Sequence, residues 1–169
     1  MSNEFSRLIE RKKAMLGIDQ STQASLRKIV PTIDAALPSI TESFYAHMQS
    51  FPEARKVFSQ LESLKPLQNK QISHWRAMFS QDLDEAYVRR ALRIGEVHFT
   101  QKVAPYLYIA GYTYFQCELL GLISEKNRGD GDLSQTLTSL TRVISLDMDL
   151  AISVYTRAVW RSRTETVHL

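Results

Sequence analysis

Ile33, Leu37, Ile40, Phe44, Met48 and Phe51 follow one another at steps of four, three, four, four and three residues. That spacing is helical and is sustained for about five turns. A stripe of this length has to be buried, and the rest of the chain offers mostly more helices to bury it. Six glycines and five prolines in 169 residues leave little punctuation for a fold of many short strands. The expected class is all-α, in a single domain large enough to enclose a substantial core.

Other segments read the same way. A leading helix over about residues 1–17 stops at Gly17, and Ser21 is placed to cap a short helix ending near Val30. The long stripe then starts at Thr32, with a kink or restart at Pro38. A short helical piece covers about Glu53 to Leu61. Pro66 opens a helix to about Gln81 whose inner face reads Gln68, Ile72, Trp75, Phe79. Asp82 or Asp84 caps the next helix, which carries Val88, Ala91, Gly95 and His98 on one face. Beyond Pro105, Tyr108, Tyr112, Phe115, Leu119 and Leu122 share a face, and the loop NRGDGD at 127–132 is the one strong turn cluster.

The final helix, about 133–163, is apolar on two sides. Leu137, Leu140, Ile144, Met148, Ala151 and Tyr155 form one stripe, and Val143, Leu146, Leu150 and Val154 a second. A surface helix needs only one such face. The second is covered either by more of the same domain or by another subunit. Leu120 and Ile123, outside the main stripe of the preceding helix, point to the subunit.

Composition narrows the function classes. The net charge of +3 is small and the basic residues are spread out. Arg157, Arg161 and Arg163 read as a solvated helix end rather than a nucleic-acid patch. The N-terminus is charged without the apolar centre of a signal peptide, and no stretch approaches the roughly 20 apolar residues of a membrane span. A cytoplasmic protein with no nucleic-acid or membrane partner is expected. Cys117 stands alone, so no internal disulfide forms. There is no HExxH, GxSxG or glycine-rich phosphate loop, and His47, His74, His98 and His168 lack zinc spacing. Any chemistry must lie in a cofactor held by helices.

His98, Tyr45 and Gln68 are the polar groups on or beside apolar helical faces. Each alone reads as an ordinary core or edge residue. Together they have the logic of a haem pocket. An imidazole supplies an axial bond to iron, while a Tyr O–H and a Gln N–H stand ready, among apolar walls, to donate to a bound gas.

These residues carry a family resemblance. The Phe44–Tyr45 pair, the Trp75 helix, His98 with Pro105 and Tyr108 seven and ten residues later, and LDMDLAISVY at 146–155 resemble the globin domain of protoglobin-related, globin-coupled sensors. The resemblance runs from about residue 5 to 160. It implies a globin fold with an extra N-terminal helix and haem b (iron protoporphyrin IX) between distal and proximal helices. It implies O2, CO and NO as ligands and His98 as the iron ligand. Tyr45 is implied as the distal donor, with Gln68 near a second distal position, and Tyr108 as a proximal tyrosine involved in signalling. Phe44, Ile72 and Tyr112 are expected to line the pocket. A homodimer through the last two helices and a C-terminal output domain, such as a diguanylate cyclase, histidine kinase or chemotaxis transducer, are implied too. The domain itself would not be an enzyme. One departure stands out: where the family often reads Arg-Ile-Gly after the histidine, this chain has Thr100, Gln101, Lys102. The rival expectation is a haem-free helical regulatory domain in which the same residues are core.

Overall fold

The computed structural model describes residues 2–59 and 63–166. Seven helices make up the described residues: α1 (Ser2–Met15), α2 (Gln20–Gln49), α3 (Pro52–Phe58), α4 (Lys65–Ser80), α5 (Glu85–Thr100), α6 (Pro105–Lys126) and α7 (Leu133–Thr166). None is long and apolar enough to cross a membrane. His168 and the side chains of Arg157, Arg161 and Arg163 lie outside the described residues, as does Leu61 at the expected end of α3.

Most boundaries follow local chemistry. Gly17 ends the first turn region at φ 68°, in the left-handed conformation that glycine adopts freely. Pro52, Pro66 and Pro105 occupy first-turn positions, where a missing N–H costs nothing. Asp84 caps α5 by accepting from the Tyr87 N–H at 2.8 Å.

The start of α2 differs from expectation. Asp19, not Ser21, is the cap, in a reciprocal box with Thr22. Nor is there a break near Val30 or Pro38: one helix of 30 residues runs through both Pro31 and Pro38. The two prolines are seven residues apart and both exposed, so they fall on the same outer side of the helix. The carbonyls they leave unbonded therefore face water. The opposite face keeps its ladder and buries Leu26, Ile29, Ile33, Leu37, Ile40, Phe44 and Met48.

α7 runs through the centre, with α2, α4, α5 and α6 packed against it. Most of both stripes is buried by this chain alone. Leu140 and Ile144 are fully buried on one side, Val143, Leu146 and Leu150 on the other. Ile123 of α6 is also fully enclosed. For most of its length the two-sided helix therefore reflects a central position in one domain, with Leu137, Met148 and Val154 left half-buried.

Candidate functional site

His98 lies in the last turn of α5. Its Nδ1 is 2.8 Å from the Ile94 carbonyl oxygen. A carbonyl can only accept, so Nδ1 carries the proton and Nε2 keeps its lone pair. Burial holds the imidazole below its usual pKa; the Ile94 bond opposes this and the charge of His74 adds to it. His98 is thus a neutral imidazole with a free donor nitrogen at physiological pH, the form a metal requires. The Tyr108 ring of α6 meets it edge to face at 4.6 Å.

The loop after His98 keeps a sharp turn without glycine. Lys102, at the position where the resembling family has its glycine, adopts φ 57°, the one positive φ among the described non-glycine residues. The Val103 N–H returns to the His98 carbonyl at 3.0 Å. The Tyr155 hydroxyl of α7 donates to the Val103 carbonyl at 3.0 Å, latching the loop to the central helix.

On α2, Tyr45 is buried between Phe44 (ring centroids 5.1 Å apart) and Phe58 of α3 (5.3 Å). Burial alone pushes its phenol well above the usual pKa, and its hydroxyl bonds to none of the described residues. It is a neutral donor without an acceptor. Phe44 also meets Phe115 of α6 at 5.1 Å, and Trp75 of α4 stacks on that same Phe115 at 4.5 Å. Gln68 and Ile72 are half-buried on α4.

Two polar atoms among the described residues are buried without a partner, Thr41 Oγ1 and Gln71 Oε1. Thr41 stands one turn before Tyr45 on α2, and Gln71 one turn before Trp75 on α4, the helix packed against α2. An orphaned buried acceptor costs about 1–3 kcal/mol. Sequence reasoning chose Gln68 and passed over Gln71, although its spacing of four from Trp75 places it on the same buried face.

A second polar centre was also missed. Asp147 of α7 is fully buried, and three helices converge on it. Tyr87 of α5 donates to Oδ1 at 2.5 Å, Tyr112 of α6 donates to Oδ2 at 2.5 Å, and His74 Nε2 of α4 lies 2.7 Å from Oδ2. Burial would raise the Asp147 pKa, but the His74 charge and the bonds from His74, Tyr112 and Tyr87 outweigh it, and the net shift is downward. His98, Tyr45 and Gln68 are therefore not the only polar groups set against apolar faces: Asp147 is fully buried and His74 largely so. The signal was present, since position 147 falls between the two apolar stripes of α7.

An imidazole with a free Nε2, a partnerless phenol and two orphaned polar atoms, Thr41 Oγ1 and Gln71 Oε1, are groups whose chemistry suits a haem and a polar gas ligand. The family model described as Protoglobin matches residues 5–161. The heme-based aerotactic transducer HemAT of Halobacterium salinarum is 22% identical over 149 residues, 82% of this chain. This chain spans 30% of the length of that relative. The globin domain of the Geobacter sulfurreducens globin-coupled sensor superposes with a TM-score of 0.82 at 14% identity, covering 86% of this chain and 96% of that one. The ferric globin domain of E. coli DosC superposes with a TM-score of 0.65 at 18% identity, covering 89% and 99%. These two likenesses establish the fold.

Proposed function

The chain belongs to the protoglobin family, and from that premise we propose that it is the haem-binding, gas-sensing globin domain of a signalling protein, with no catalytic activity of its own. The observation that carries the proposal is His98, whose Nδ1 is tied to the Ile94 carbonyl, which leaves Nε2 with a lone pair to offer a metal. Haem is proposed to lie between α2 and α4 on the distal side and α5 and α6 on the proximal side. When bound it supplies an iron centre with one position open to O2, CO or NO. Haem b is favoured because Cys117 is the sole cysteine, which leaves no pair for thioether attachment. The aerotactic role in the name of the Halobacterium relative supports O2 as the ligand of interest.

His98 holds the group from the proximal side. Tyr45, kept neutral by burial, donates its O–H to the ligand, and Gln71, with Gln68 one turn earlier, offers a second polar contact. Phe44, Ile72 and Trp75 exclude water, which strengthens each of these bonds. Tyr108 packs against the histidine, and Tyr112 packs against Tyr108. A change in the position of His98 reaches α7 through the Val103 carbonyl, where Tyr155 is bonded. A ~10-fold difference in affinity between two states corresponds to about 1.4 kcal/mol, within reach of small repacking at such a latch.

The proposal includes a homodimer through α6 and α7 and an output domain that reads it. Its support is the outward stripe of α6, where Tyr106 and Ile109 are exposed and Leu120 is half-buried. A solution mass equal to one chain would remove the dimer. For the cofactor, the test is an absorption spectrum of the ferric, reduced, O2-exposed and CO-exposed protein, with His98→Ala beside it. A Soret band that responds to both gases and is lost or altered in the variant is expected. A colourless chain that takes up no added haem would leave the haem-free regulatory reading.

A further inference from the structure

Resting on that reading, we propose that Asp147 is a positioning residue for the proximal histidine, acting through Tyr112 and Tyr108. An ionised carboxylate only accepts, so the Tyr112 hydroxyl must spend its proton on Asp147. Its oxygen is then the acceptor for the Tyr108 hydroxyl, 3.2 Å away. The direction of the chain is thereby decided: Tyr108 donates to Tyr112, and Tyr112 to Asp147. Tyr108 cannot at the same time donate toward His98, against whose imidazole its ring is held edge to face at 4.6 Å.

The carboxylate does not need this arrangement for packing. Replacing a buried ionic group by apolar residues of similar volume is often neutral or stabilising, and what the carboxylate supplies beyond packing is a fixed hydrogen-bond geometry. Here that geometry involves His74 on α4, Tyr87 on α5 and Tyr112 on α6, all anchored on α7. A shift of α7 relative to α6 would change the hold on Tyr112, free the Tyr108 proton and alter the surroundings of His98. The converse also holds, because such coupling is reciprocal.

Tyr87 provides a control inside the same cluster. It bonds to Asp147 as Tyr112 does but makes no bond to Tyr108. The test compares Asp147→Asn, Tyr112→Phe and Tyr87→Phe by two readouts: the nitrogen NMR shifts of the His98 imidazole in the haem-free chain, and the iron–histidine stretching frequency of the reduced, haem-loaded chain. Asp147→Asn and Tyr112→Phe are expected to move both readouts, the double variant no further than either, while Tyr87→Phe stays near wild type. Equal shifts from Tyr87→Phe and Tyr112→Phe, or none from Tyr112→Phe, would overturn the proposal. If Asp147→Asn does not fold, the two tyrosine variants decide alone. The haem-free readout keeps this result separate from the fate of the haem proposal itself.

Discussion

Gly95 lies so close to Ala151 that a Cβ on the glycine would stand 2.5 Å from the Ala151 carbonyl oxygen and 2.9 Å from its Cα. Both neighbours are backbone, so neither can swing aside. Gly95 comes three residues before His98, and this contact sets how α5 presents the histidine relative to α7. Gly95→Ala forces the helices apart and is expected to cost about 1–3 kcal/mol, the usual range for overpacking. Urea unfolding of the variant checks this, and an unchanged midpoint would mean that α5 can slide without penalty.

Tyr45 is the distal donor in the proposed function. A hydrogen bond to a polarised ligand contributes about 1.5–3 kcal/mol. Tyr45→Phe should therefore raise the O2 dissociation rate by roughly 10-fold or more, measured by stopped flow. An unchanged rate would take the role away from Tyr45.

Gln71 and Gln68 are both half-buried, but of the two only Gln71 has an enclosed polar atom without a partner, Oε1. Gln71→Leu removes an unsatisfied acceptor and should stabilise the haem-free chain by about 1 kcal/mol. Gln68→Leu should stay within about 0.5 kcal/mol, as substitutions away from special features do. Thermal melts of both compare them directly; equal effects would remove the distinction.

Lys102 occupies a left-handed turn that disfavours side chains. Lys102→Gly relieves that strain but loosens the unfolded chain, so a net gain of about 0.5–1 kcal/mol is expected. Denaturant unfolding reads it, and a loss of stability would show that the lysine side chain compensates for its backbone.

Asp147 links stability to acid. Its folded pKa lies below its ordinary value, so its stabilising contribution is complete above the unfolded-state pKa of about 3.9 and fades as pH falls through the lower folded value. Wild type should lose stability below about pH 4 more steeply than Asp147→Asn. Melting temperatures between neutral and strongly acid pH test the slope; parallel curves would mean the carboxylate is not ionised in the fold.

The helices were legible because they are local. Apolar residues at three- and four-residue steps, the prolines at 66 and 105, and the glycine at 17 marked most of the elements. The inward placement of Tyr45 and Phe44 and the part-burial of His98 were readable for the same reason, as groups on or beside an apolar stripe. The continuity of α2 was harder, because a proline breaks or merely bends a helix according to which side faces water, and only packing assigns the sides.

Tertiary structure alone decided what each stripe meets. It covered most of both faces of α7 from within one domain. It turned Gln71 rather than Gln68 into the unsatisfied glutamine, and it brought His74, Tyr87, Tyr112 and Asp147 together from four helices. Periodicity reports which side of a helix is buried. Which partners it finds there depends on the angles and offsets at which helices pack, and these are set by contacts between residues far apart in the chain.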